Sequence, residues 1–94
     1  MERNRVLAVI PAYNEQDNIV STIDDLCNNA PNIDYIVIND GSKDCTLDIC
    51  KANGYNYINL PVNLGLAGAF QTGMRYAYEH DYDYAIQFDA DGQH

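Results

Sequence analysis

Four short runs rich in Val, Ile, Leu and Tyr, at 6–10, 35–39, 55–60 and 84–88, alternate with three stretches of helical spacing, and this alternation most restricts the fold. Between the first two runs, Ile19, Ile23 and Leu26 recur on one face of a predicted helix over 15–29, with Asn14 placed to cap its start. A shorter helix over 44–53 sets Leu47 and Cys50 on one face and ends before Gly54, a residue favoured just past a helix C-terminus. The third, over 65–80, carries Ala69, Gly73 and Ala77 in one i, i+4 row and Phe70, Met74 and Tyr78 in the next. The small row suits close packing on a sheet. The order β-α-β-α-β-α-β predicts an α/β, Rossmann-like parallel sheet.

In open parallel sheets, ligands bind beyond the carboxyl ends of the strands, where strand order reverses. The segments that follow the runs are Pro11-Ala12-Tyr13-Asn14-Glu15, Asp40-Gly41-Ser42, Asn63-Leu64-Gly65 and Asp89-Ala90-Asp91-Gly92. The unusual polar residues are therefore expected on one rim. In an extended segment Asp89 and Asp91 point to the same side, where two like charges repel unless a cation joins them. Mg²⁺ or Mn²⁺ suits such oxygens and keeps positions open for phosphates. Gln93 adds an amide oxygen if the extended path continues. Taken alone, D-x-D-G also reads as a polar turn. Tyr13 offers a flat ring for a base, or a core side chain. Asp40 can accept a hydrogen bond from a ring N–H, or serve as a turn acid before Gly41; Glu15 can complement the positive end of the first helix.

At 94 residues the chain has room for one modest core. A net charge of −9 with only 5 Lys and Arg disfavours nucleic acid as a partner, and an anionic ligand would need a cation. No apolar run approaches the ~20 residues that span a bilayer, and the N-terminus lacks the apolar core of a secretion signal, so the segment reads as cytoplasmic. Cys27, Cys45 and Cys50 fit no zinc spacing and are read as small core or near-core residues. No G-x-G-x-x-G or P-loop lysine pattern is present, which disfavours a dinucleotide or ATP site.

The runs VIPAYNEQDNI, IVINDGSKDCT, NLGLAGAFQTG and FDADGQH, in that order, resemble the N-terminal nucleotide-binding half of the family 2 glycosyltransferases of GT-A fold. The likeness is greatest to dolichol-phosphate mannose synthases and bacterial polyprenyl-phosphate glycosyltransferases. It implies inverting transfer of a sugar from a nucleoside diphosphate sugar to a polyprenyl phosphate or saccharide acceptor. Pro11, Tyr13 and Glu15 would hold the nucleotide, Asp40 would read its base, and Asp89 would contact the donor. Asp89 and Asp91, joined by Gln93, would hold the Mg²⁺ or Mn²⁺ that bridges the diphosphate. One departure stands out: many relatives have a basic residue in the loop matching 63–68, where this chain has Leu64 and Leu66.

The resemblance also implies that residues 1–94 are the donor-binding part of a longer domain cut just after D-x-D, without acceptor pocket or base. Such a piece is expected to bind nucleotide weakly without turnover and to self-associate through its exposed edge. The intact protein is then expected at the cytoplasmic face of a membrane. Two rival readings are a phosphatase of the haloacid dehalogenase type and a non-catalytic nucleotide-binding or receiver-like module. Both prefer their acids after the first strand, where this chain has Pro11-Ala12-Tyr13.

Overall fold

Leu7 and Val9 turn to one side of the first strand and Ala8, Ile10 and Ala12 to the other, and all of them are buried. Burial on both faces belongs to a parallel sheet covered on each side. The computed structural model, which describes residues 4–90, has that architecture. Its elements run β1 (Val6–Ala12), α1 (Ile19–Asn29), β2 (Asp34–Asp40), α2 (Thr46–Ala52), β3 (Tyr57–Leu60), α3 (Gly65–Glu79) and β4 (Tyr84–Gln87). The strands lie in the order β3-β2-β1-β4, and all three pairings are parallel. The chain moves outward from β1 to β3 and then crosses to the far side of β1, so the order reverses between β1 and β4.

The two cores follow from the alternation. Ile19, Ile23 and Leu26 of α1 and Cys50 of α2 cover Ala8, Ile10, Ala12 and Val37 on one face. On the other, Ala69 and Ala77 of α3 cover Leu7, Val9, Ile36 and Ile38. The small row of α3 brings its backbone close to the sheet: a Cβ added at Gly73 would lie 2.2 Å from Cγ1 of Val9. In the neighbouring row Phe70 is partly buried, whereas Met74 and Tyr78 are exposed.

Several boundaries differ from the sequence reading. α1 begins at Ile19, not at Glu15, and Asn14 does not cap it. Asn14 sits at φ 53°, and its side-chain oxygen accepts the Lys43 N–H at 2.8 Å. α2 begins at Thr46 because Asp44 is used as a side-chain acceptor for the Thr46 N–H. β3 starts at Tyr57; the Tyr55 N–H is spent on the Cys50 carbonyl at the end of α2. β1 runs through Pro11 to Ala12. Phe88 N–H donates to the Val9 carbonyl, so odd residues of β1 face β4, and Pro11 falls beyond the last β4 residue, where no ladder donor is missed. Cys50 is buried as expected, but Cys27 and Cys45 are exposed. Cys27 follows Leu26, the last buried residue of α1, and one residue of helical rotation turns it to solvent.

At the amino edge Arg5 fixes β4 beside β1. Its N–H donates to Asp83 Oδ2 at 2.7 Å, its guanidinium Nη1 donates to the His80 carbonyl at 2.7 Å, and the guanidinium lies 4.3 Å from the centre of the Tyr82 ring. The Tyr82 hydroxyl donates to Asp34 Oδ2 at 2.7 Å. Burial, followed by the Asp34 hydrogen bond and charge, pushes the Tyr82 phenol up to about 12. His80 occupies the position after α3 and stacks on Tyr76 with ring centres 4.0 Å apart. Arg75 pairs with Glu79 at 3.5 Å on the exposed side of the helix, a surface pair.

Candidate donor and metal site

β1 delivers Pro11 and Ala12 to the carboxyl edge, and the loop after it carries Tyr13 and Glu15. Tyr13 is 44% exposed, which removes the core-residue reading. The three consecutive amides after Tyr13 are each held by a side chain of the loop after β2 or the first residue of α2: Asn14 N–H by Ser42 Oγ at 2.9 Å, Glu15 N–H by Thr46 Oγ1 at 3.0 Å and Gln16 N–H by Asp44 Oδ2 at 3.2 Å. The reverse bonds run from Lys43 N–H to Asn14 Oδ1 and from Cys45 N–H to Gln16 Oε1. Burial alone would raise the Asp44 carboxyl, but bonds from the Thr46 hydroxyl and the Thr46 and Gln16 amides outweigh it and hold it below 3.8. Glu15 is not the complement to the first turn of α1 that the sequence allowed: the helix starts four residues later, and it is the Glu15 carbonyl that accepts the Asn18 and Ile19 N–H groups.

At the end of β2, Asp40 is 3% exposed. Its Oδ1 accepts the Leu64 N–H at 2.6 Å, and Oδ2 accepts the Gly65 N–H at 3.0 Å and the Asn63 amide at 3.1 Å. α3 has no side-chain cap of its own, so this carboxylate from another strand satisfies the first amides at its positive end. Of roughly four acceptor positions on a carboxylate, the described residues take three and leave one on Oδ1. Gly41, at φ +69°, lets the chain pass Val62 and Asn63; a Cβ there would lie 2.5 Å from the Asn63 nitrogen.

β4 ends at Gln87, and Asp89 follows at the rim. Ala90 is 3% exposed and packs in the core with Ala8, Ile10 and Ala12, which leaves its neighbour Asp89 exposed at the edge. The Asp89 Oδ1 accepts the Gln87 side-chain amide at 2.8 Å.

These segments form one cleft of about 540 Å³, lined by Pro11, Tyr13, Glu15, Asp40 and Asp89 together with Asn63, Gly65 and Leu66. All the residues expected to contact the donor thus share one surface, and the size suits a nucleotide-scale ligand. Asp91 and Gln93, the other expected metal ligands, lie outside the described residues. Among the described residues no three His, Cys, Asp or Glu side chains form a metal cluster. The chemistry of the lining nevertheless fits a hard divalent cation: among the described residues it holds the carboxylates Glu15, Asp40 and Asp89 and no Lys or Arg, a charge balance that favours a positive partner for an anionic diphosphate.

The Glycosyl transferase family 2 model matches residues 7–94. The chain belongs to this family. Glycosyl transferase family 2 membership sets aside the phosphatase and receiver-like readings, and it agrees with the parallel, Rossmann-like sheet of GT-A type. Among curated relatives, an undecaprenyl-phosphate mannosyltransferase of Micrococcus luteus is 34% identical, the match covering 96% of this chain and 39% of the relative. A UDP-N-acetylglucosamine–dolichyl-phosphate N-acetylglucosaminyltransferase of Methanococcus voltae is 40% identical, covering 95% and 42%. Among solved structures, glucosyl-3-phosphoglycerate synthase of Mycobacterium tuberculosis, in complex with Mn²⁺, uridine diphosphate and glucosyl-3-phosphoglycerate, superposes with a TM-score of 0.72 at 25% identity, over 93% of this chain and 33% of that one. The chain therefore spans about two fifths of the length of the curated relatives it matches. Among the described residues no helix is long and apolar enough to cross a membrane.

Sequence reasoning pointed to the segment after β3 but assigned it no ligand. The structure puts Asn63, Gly65 and Leu66 in the cleft wall. The position of that turn at a strand end was the available signal.

Proposed function

We propose that this chain forms the donor-binding part of a metal-dependent, inverting glycosyltransferase that moves a sugar from a nucleoside diphosphate sugar to a polyprenyl phosphate or saccharide acceptor. The observation that carries the reading is the convergence of Pro11, Tyr13, Glu15, Asp40 and Asp89 on one cleft at the reversal of strand order, in a chain of this family. The acceptor class is supported by the two curated relatives, whose names specify undecaprenyl phosphate and dolichyl phosphate.

In this reading the Tyr13 ring packs against the base, and the remaining Oδ1 position of Asp40 accepts a ring N–H, while Pro11 and Ala12 shape the floor. Asp89 contacts the donor and, with Asp91 and Gln93, holds Mg²⁺ or Mn²⁺. When bound, that ion supplies charge neutralisation on the departing diphosphate and a template for it. Support for the ion comes from the Mn²⁺ and uridine diphosphate in the structural neighbour and from a lining that, among the described residues, carries three carboxylates and no Lys or Arg. A polyprenyl phosphate is already an anionic nucleophile, so a general base is needed only for a hydroxyl acceptor. The 94-residue chain by itself binds donor without turnover, self-associates through its open sheet edge and, in the intact protein, works at the cytoplasmic face of a membrane.

Amide chemical-shift mapping with uridine diphosphate and Mg²⁺ tests the site. The expected response is confined to the residues around Tyr13, Glu15, Asp40, Asn63–Leu66 and Asp89. Shifts centred on the amino edge, around Arg5 and Tyr82, would place the ligand elsewhere. Incubating the chain with a nucleoside diphosphate sugar and polyprenyl phosphate tests the absence of turnover, and any glycolipid formed would overturn it.

A further inference from the structure

We propose that Ser42, Asp44 and Thr46 are positioning residues of the donor site, which hold the segment from Tyr13 to Gln16 in the shape that presents Tyr13 and Glu15 to the cleft. The inference rests on the donor-site reading above and concerns residues that do not themselves line the cleft. Its basis is the run of three consecutive backbone N–H groups, at Asn14, Glu15 and Gln16, each received by a side-chain oxygen from the loop after β2 or the first residue of α2. The segment includes a left-handed residue, Asn14 at φ 53°, a conformation uncommon outside glycine and one that asparagine adopts more readily than most; the bonds to Ser42 and from Lys43 lie on this residue.

Thr46 and Asp44 act as one unit. Thr46 is fully buried, and its hydroxyl accepts the Glu15 N–H while donating to Asp44 Oδ1 at 2.5 Å. Asp44 uses Oδ1 for the Thr46 N–H and hydroxyl and Oδ2 for the Gln16 N–H. One carboxylate thereby fixes both the start of α2 and the approach to α1. The return bonds from Lys43 and Cys45 N–H to the Asn14 and Gln16 side chains close the ladder, so the two loops move as one body. A ligand arriving at Tyr13 then meets a preformed wall and does not have to order it, which is how preorganisation raises affinity.

The test is calorimetric titration of the 94-residue chain with uridine diphosphate and Mn²⁺, comparing Thr46→Val, Thr46→Ser, Asp44→Asn and Tyr82→Phe, with stability measured in parallel. Thr46→Val keeps the shape but strands the Glu15 N–H, and Asp44→Asn presents an amide to the Gln16 N–H or to Thr46. Each is expected to weaken binding about tenfold, the equivalent of one lost hydrogen bond in a buried site. Thr46→Ser retains the hydroxyl and should stay within about twofold of the parent. Tyr82→Phe, at the opposite edge of the sheet, should lower stability and leave affinity unchanged. Parent-like affinity in folded Thr46→Val and Asp44→Asn overturns the inference, as does a parallel loss in Tyr82→Phe, which would mark the effect as general destabilisation. If Thr46→Val does not fold, Ser42→Ala replaces it with the same expected direction. A parent chain that is folded and binds nothing overturns the donor-site reading itself, and this inference with it.

Discussion

Asp40 accepts the Leu64 N–H at 2.6 Å, so the last residue of β2 caps a helix that begins after the next strand. With the Gly65 N–H and the Asn63 amide on its other oxygen, this carboxylate ties the β2 and β3 loops into one wall of the cleft. Replacing it with alanine leaves these donors without acceptors in a site that is 3% exposed. Asp40→Ala is expected to cost about 3 kcal/mol, because hydrogen bonds to a charged acceptor are lost and buried donors are stranded. Urea unfolding measures it; a loss below about 0.5 kcal/mol would mean that the capping bonds contribute little.

Gly73→Ala tests the close approach of α3. Alanine improves helix propensity by about 1 kcal/mol, but its Cβ would lie 2.2 Å from Val9 Cγ1, and overpacking of this kind costs roughly 1–3 kcal/mol. The net expectation is a loss of about 1 kcal/mol, from the larger of the two effects. Val9→Ala, which removes core methyls in its own right, should cost less in the Gly73→Ala background than in the parent, since it makes room for the new methyl. A double-mutant cycle reads the coupling, and strict additivity would contradict the packing described.

The pH dependence has two limbs with opposite signs. The folded state holds the Asp44 carboxyl below its ordinary 3.8, so its contribution is present above that value and is lost as pH falls through the lower, folded one. The Tyr82 phenol is raised from 10.0 to about 12, so its contribution is present below pH 10 and is lost as pH rises toward 12. Urea midpoints across the pH range should therefore drop at both ends. Asp44→Asn should flatten the acid limb and Tyr82→Phe the alkaline one; limbs unchanged by these substitutions would refute the assignment.

Much of this molecule was legible from periodicity. Ile19, Ile23 and Leu26, and the row Ala69, Gly73, Ala77, are buried where helical spacing put them, because one helix face and one sheet face determine their environment. Strand ends predicted the rim, and Pro11, Tyr13, Glu15, Asp40 and Asp89 do share a cleft. The bonds that shape that rim had no such signal. Ser42 and Asn14, or Asp40 and Leu64, are joined across 28 and 24 residues by single side-chain contacts, which leave no repeating pattern in a sequence. A contact of the same kind moved one helix start: the sequence places Asn14 to cap α1, but its side-chain oxygen is taken up by the Lys43 N–H of the neighbouring loop.

The central claim is a cation-assisted diphosphate site at the carboxyl edge. It is tested most directly by titrating the folded chain with uridine diphosphate in the presence and absence of Mn²⁺, for the parent and for Asp91→Ala. The account predicts binding that strengthens with Mn²⁺ in the parent and loses that dependence in Asp91→Ala. Binding that ignores both the metal and the substitution, or no binding by a stably folded sample, would contradict it.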